Sequence, residues 1–192
     1  MKNTISNPAT VSQNVERSKE QSSNASLKSS QLMKLFEDGL KDIFWAEKAL
    51  TKAIPIMIKK ATSPELKNAL ENHLTETEMH ISRLENIFEI IDKKALAKKC
   101  DAMEGLITEA EEIMNSCESG AMCDAGIISG SQKIEHYEMA SYGTLRQFAE
   151  TLQLTRAETL LEATLKEEKA ADQKLSQVAK SAVNMDAAQV KA

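Results

Sequence analysis

From Leu32 onward, apolar side chains recur at steps of three and four: Phe36, Leu40, Ile43, Leu50 and Ile54 fall on this rhythm. On a helix of 3.6 residues per turn they share one face, so the stretch predicts a first core helix. Pro55 lies inside the pattern, where its missing N–H and ring predict a kink or interruption, and ATSPE at 61–65 predicts a turn. Ser63 followed by Pro64 reads as an N-cap and a first-turn proline. They open a second helix with Leu66, Leu70, Leu84, Ile87 and Ile91 on its stripe, ending near Asp92. Residues 93–123 lose the rhythm. They hold a basic KKALAKK run, a short helix through Met103, Leu106, Ile107, Ala110, Ile113 and Met114, and a loop around ESGAMCD. That is too long for a hairpin and predicts a crossover running back along a bundle, which leaves the second and third core helices parallel. The third begins near Asp124, read as its cap, and carries Ile128, Met139, Tyr142, Leu145, Phe148 and Leu152. Gly126, Gly130 and Gly143 weaken this helix but permit close contact with a neighbour. The fourth starts after Leu154 and Thr155 and carries Leu161, Leu165, Leu175 and Val178.

The expected fold is therefore all-α: an antiparallel four-helix bundle with a long crossover that contains a short extra helix. The bundle is expected over residues 31–182. Residues 1–30, rich in Ser, Asn and Gln, bury too little to repay their ordering entropy and are expected to be a flexible tail. Residues 183–192 are expected to fray. Few glycines, prolines and aromatics among abundant Ala, Leu, Glu and Lys agree with helices throughout. A net charge of -5 argues against a nucleic-acid partner, which needs concentrated Lys and Arg. No apolar run approaches the roughly 20 residues of a membrane span, and the start lacks an apolar signal core, so a cytoplasmic protein is expected. Cys100, Cys117 and Cys123 are odd in number and lack CxxC spacing, and are read as free thiols.

Charged residues interrupt the apolar stripes. Glu47 lies four residues after Ile43 and three before Leu50, on the core face. His73, Glu76 and His80 form a polar strip on the second helix; Gln132, Glu135 and Glu138 lead into Tyr142 on the third; Glu168 and Asp172 lie between Leu165 and Leu175 on the fourth. Judged singly, such an acid is more often a boundary residue paired with Lys or Arg. The coincidence across four helices changes that reading. Converging buried carboxylates repel, so protons or cations must neutralise them. Bundle proteins build two-metal sites from a Glu on two helices plus a Glu and a His one turn apart on the other two, and oxygen ligands with one or two imidazoles suit iron or manganese. Glu47 and Glu76 lie 29 residues apart, Glu135 and Glu168 33, so the chain reads as two similar hairpins. His136, about 100° around from Glu135, is read as outside the ligand ring. Tyr137 and Tyr142 are read as packing and hydrogen-bonding groups.

Five blocks carry a family resemblance: LFEDGLKDIFWAEKAL, ATSPELKNALENHLTETE, KKCDAMEGLI, QKIEHYEMASYGTLRQFAETL and LKEEKAADQKL. In this order, over about residues 32–180, the chain resembles the YciF/YciE-type ferritin-like proteins, a family of unknown function related to rubrerythrin. The resemblance implies a ferritin-like bundle, often a homodimer, linked to bacterial stress and holding two metal ions, iron or manganese. By motif matching it implies the ligands Glu47, His73, Glu76, Glu135, Glu138, Glu168 and Asp172, with His80 left open because the family varies there. Two departures stand out. Histidine precedes glutamate in the His73 to Glu76 step, and Ala171 stands three residues after Glu168 where a histidine is usual. An oxygen-rich or asymmetric site is expected. Three functions follow as alternatives: an oxidoreductase acting on peroxide or dioxygen, a metal-sequestering protein without turnover, and a structural bundle whose acids only set helix register. Without a CxxC pair for an iron centre of its own, the first requires an external electron donor.

Overall fold

The computed structural model describes Leu27 and residues 29–190; the expected N-terminal tail falls almost wholly outside that range. Five long helices follow one another: α1 (Gln31–Lys60), α2 (Pro64–Ile90), α3 (Asp101–Ser116), α4 (Ala121–Thr151) and α5 (Thr155–Val178). A π-turn at Ala179–Val183 leads into a short α6 (Asn184–Gln189), so the helical path continues beyond the point where fraying was expected. No strand occurs among the described residues.

The local signals act largely as read. The Ser63 hydroxyl accepts from Leu66 N at 3.2 Å with Pro64 in the first turn, and Ser30 caps α1 in the same way through Met33 N. Pro55 does not interrupt α1, contrary to one arm of the expectation. Its ring is on the exposed side, while Ile54 and Met57 keep their places in the core. Asp124 is not a cap. It sits one turn inside α4, buried, and its carboxylate accepts hydrogen bonds from Thr62 N at 2.7 Å, Thr62 Oγ1 at 2.6 Å and Ser63 N at 2.9 Å. This ties the start of α4 to the α1–α2 turn, so α4 begins where α2 begins and the two run parallel.

The connection between them spans the bundle lengthwise. It leaves α2 beside Glu37, which pairs with Lys93 at 3.0 Å, passes Lys41, whose carbonyl accepts from Lys98 N at 3.0 Å, and ends as α3 reaches Lys60, whose ammonium donates to the Cys117 carbonyl at 3.4 Å. Helix α3 lies close on α4 because two glycines leave it room. A Cβ on Gly126 would come within 2.5 Å of Ile113, and one on Gly130 within 2.9 Å of the Ala110 Cβ and 3.4 Å of its backbone. The reading of free thiols is corrected at the end of α3: Cys117 and Cys123 form a disulfide, Cα atoms 5.4 Å apart, across a turn in which Gly120 adopts a φ of +146°. CxxC spacing was the wrong signal, since a glycine turn brings together cysteines six apart. Cys100 remains a thiol, with Sγ 3.0 Å from the Tyr137 hydroxyl.

Alanine in place of a helical glycine ordinarily gains about 0.5–1 kcal/mol. At Gly130 the contact with Ala110 is expected to reverse the sign, since overpacking costs about 1–3 kcal/mol. Gly130→Ala should lower the thermal midpoint by about 2–4 °C for a chain of this size. Gly105→Ala, where the added methyl meets nothing within 4 Å, should raise it. Thermal melts of the two variants check the opposite signs.

Candidate metal centre

Four helices supply the site, each through the residue that its buried stripe carries past the bundle centre. Glu47 comes from α1, His73 and His80 from α2, Glu135 and Glu138 from α4, and Glu168 from α5; all six are buried. Ligand atoms of His73, Glu135, Glu138 and Glu168 lie within 4.8 Å of one another, as do those of Glu47, His80 and Glu168. The two groups share Glu168. His80 Nδ1 is 2.9 Å from Glu168 Oε1 and 3.3 Å from Glu47 Oε1, while His73 Nε2 is 3.3 Å from Glu135 Oε1.

The surroundings orient these groups. Tyr142 donates its hydroxyl proton to Glu47 Oε1, so the expected hydrogen-bonding role of this tyrosine lies inside the site itself. Glu167 accepts from both terminal guanidinium nitrogens of Arg83, and its Oε2 meets His80 Nε2 at 2.9 Å. With Nε2–H engaged by that carboxylate, Nδ1 is the nitrogen that faces Glu168. Thr77, one helical turn from both histidines, donates to the His73 carbonyl at 2.9 Å.

Electrostatics follow from burial and crowding. Burial opposes charge on both histidines, but Glu135 and Glu76 outweigh it at His73 and raise the pKa to about 9, and Glu168 and Glu47 outweigh it at His80 and raise it to about 11. Burial pushes Glu47 up, and it pushes Glu135 and Glu138 well up, with Glu168 adding repulsion at each. Burial acts the same way on Glu168, yet the flanking imidazoles hold it below the ordinary carboxylate value. Glu168 is thus the carboxylate of the cluster whose charge its neighbours favour.

Of the residues singled out in the sequence, Glu47, His73, Glu135, Glu138 and Glu168 are brought together. Glu76 is not in either group: its carboxylate sits at the rim, 35 % exposed, 3.7 Å from His73 Nδ1. Asp172 lies to one side, accepting from Gln132 Nε2 at 3.1 Å and 3.4 Å from the exposed His136. His80, whose part the sequence leaves open, joins Glu47 and Glu168. Its signal was present, for Leu70, His73, Thr77, His80 and Leu84 alternate by three and four residues along one buried stripe, and Glu76 is a step off it.

Residues 31–188 match the family described as a domain of unknown function, DUF892. The curated protein YciF of Escherichia coli (strain K12) is 42% identical over 160 residues, which cover 81% of this chain and 96% of that one. The crystal structure of the E. coli stress protein YciF superposes with a TM-score of 0.77 over 81% of this chain and 98% of that one. YcfI from Rhodopseudomonas palustris, 40% identical and proposed by its description to be a structural protein, gives 0.75 over 77% and 94%.

Glu138 carries a stability prediction for the metal-free chain. A carboxyl whose folded pKa is raised keeps its proton in the folded state after the unfolded chain has lost it near 4.5, so it costs stability increasingly as pH rises above that value. Glu138→Gln keeps the shape and removes the ionisation. The variant should be more stable than the parent at pH 7, on the scale of the about 1–4 kcal/mol seen when buried ion pairs are replaced by uncharged groups. The difference should vanish below pH 4.5. Denaturant unfolding of the stripped protein across that interval checks it; a less stable variant at neutral pH would contradict the assigned cost.

Proposed function

The chain belongs to the DUF892 family, and we propose that it is a stress-associated metal-binding bundle in which Glu47, His73, His80, Glu135, Glu138 and Glu168 hold two divalent ions, iron foremost and manganese second. One observation carries this reading. Among the described residues, every buried side-chain nitrogen or oxygen without a hydrogen-bond partner belongs to these six side chains. Buried polar groups are nearly always satisfied, and an orphaned one costs about 1–3 kcal/mol. Nine such atoms concentrated at one point suit a cation that takes them as ligands. Four carboxylates with two imidazoles match the donor preference of iron and manganese.

Iron or manganese held there would supply electron exchange with peroxide or dioxygen. The protein's own part is to fix the donors. The Arg83–Glu167 pair holds His80 with Nδ1 inward, Tyr142 orients Glu47, and Glu168 belongs to both groups, so it would be a ligand available to either ion. Glu76 and Asp172 lie near enough to adjust the charge around the centre without belonging to either ligand group. Turnover would draw electrons from an external donor, and a homodimer is the assembly proposed. The stress association rests on the resemblance to YciF.

A structural role is favoured by one feature: the two raised histidines offset part of the acidic charge without any ion. The readings separate on a titration. Stripped protein is incubated anaerobically with Fe(II) or Mn(II). Metal binding should raise the melting midpoint, because a ligand at a hundredfold excess over its Kd stabilises the native state by about 2.7 kcal/mol. Glu168→Ala should abolish both uptake and shift. Glu167→Gln, which weakens the Arg83 fork and the hold on His80 while leaving all six ligand side chains in place, should weaken affinity about 10–100-fold. A wild-type midpoint indifferent to both ions would leave the structural role standing. Peroxide consumption by the loaded protein then distinguishes turnover from sequestration.

A further inference from the structure

The two ends of the acidic cluster are closed unequally. Glu47, His80, Glu138 and Glu168 are 0% exposed, whereas His73 retains 6% and Glu135 2%. The His80 end is sealed by Tyr142 and by the Arg83–Glu167 pair. At the His73 end, a recess of about 220 Å³ opens between α2 and α5, with His73 and Glu135 among its lining residues. Its existence follows from small side chains: Ala69 on α2 faces Ala170 and Ala171 on α5, and none of them reaches across. Ala171 is the decisive one, because it stands three residues beyond Glu168, where any long side chain would project beside the cluster. A water occupies about 30 Å³ of liquid, so the recess has room for a partly hydrated ion. The recess between Trp45 and Ile107 touches none of the six ligand residues.

At the rim stands Glu76, part-exposed, with its carboxylate 3.7 Å from His73 Nδ1. Neither His73 ring nitrogen makes a hydrogen bond, although the ring is buried. An unsatisfied imidazole thus lies between a solvent-reaching carboxylate and the interior acids.

We propose that this recess is the port through which divalent cations reach the buried group, with Glu76 taking the ion first and His73 passing it to Glu135 and Glu168. The proposal rests on the metal-binding reading and adds a path and a receiving residue to it. A port lies on the route and not at its end, so altering it slows arrival and departure alike and leaves the equilibrium unchanged. Lys174 also lines the recess, and its positive charge opposes an arriving cation.

The test mixes stripped full-length protein with Co(II) under anaerobic conditions and follows the visible absorption of the bound ion by stopped flow, with equilibrium titrations in parallel. Ala171→Leu, which plugs the recess, is expected to slow loading by about tenfold or more, equivalent to at least about 1.4 kcal/mol on the barrier. Glu76→Gln should slow it several-fold and Lys174→Gln should hasten it at low salt; all three should keep the wild-type stoichiometry, and Ala171→Leu the wild-type affinity as well. The rim substitutions add no volume, so they test the path even if the leucine variant misfolds. Unchanged rates in the folded variants would overturn the port. Reduced stoichiometry in Glu76→Gln would overturn it too, by making Glu76 a ligand of the final site. Failure of the wild type to take up Co(II), Fe(II) or Mn(II) at equilibrium would instead remove the metal reading, and the port with it.

Discussion

The constraint on which the structure depends is the repulsion among four glutamates gathered around Glu168 in the bundle interior. Two unit charges 4 Å apart interact by about 4 kcal/mol at an effective dielectric of 20. A whole domain is stable by only about 5–15 kcal/mol. Full ionisation of four neighbouring carboxylates would exceed that margin, so the chain must answer the charge inside the site. Without an ion, the acids favour charge on the two histidines, and burial raises the carboxyls of Glu135 and Glu138 against ionisation. This solution is incomplete, because it leaves both oxygens of Glu138 without a partner.

Holding such a group in place requires rigid surroundings, and several features far apart in sequence serve that end. Asp124 binds the start of α4 to the α1–α2 turn through three hydrogen bonds, which sets the height at which Glu135 and Glu138 meet Glu47. The crossover lies flat because Gly126 and Gly130 let α3 approach α4. The Arg83 fork on Glu167 is the kind of two-bond contact that fixes orientation as well as position. Through Glu167 that fixity passes to His80, whose ring could otherwise present either nitrogen to the acids.

Most of the fold was legible because helix stripes record burial directly. The steps from Phe36 to Ile54 and from Leu66 to Ile87 mark the faces that the structure buries, and Ser63-Pro64 marks the start of α2. The site was legible only in part, for a physical reason. A carboxylate on an apolar stripe advertises itself, as Glu47 and Glu168 do, but a stripe has soft edges. Glu76 and His80 both lie within reach of His73 along the helix, and only the angular count through Thr77 to Leu84 separates the buried histidine from the rim glutamate. Asp124 resembled a cap because its type and position fit one, whereas its partners, 62 and 61 residues away in sequence, leave no local trace. The Cys117–Cys123 bond was hidden similarly by a turn whose geometry belongs to Gly120.

The departures from the usual two-metal pattern take on a different meaning once the positions are known. That pattern places a Glu on each of two helices and a Glu followed three residues later by a His on the other two, giving four carboxylates and two imidazoles. On α2 the corresponding step runs from Thr77 to His80, and on α5 from Glu168 to Ala171, so one glutamate and one histidine are missing from their places. The structure contains a carboxylate and an imidazole that offset both losses. Glu138 adds a second acid from α4, and His73, one turn before Thr77, extends its ring to Glu135 from a different helix than the absent histidine would have occupied. The donor count is thereby kept while its distribution changes. One group has a histidine with three glutamates and the other a histidine with two, Glu168 being common to both. Apolar replacement of buried charged groups is often neutral or stabilising, so helix packing by itself does not call for both kinds of donor. The donor total of the usual pattern, reached here from altered positions, supports the proposal that this bundle holds a cation.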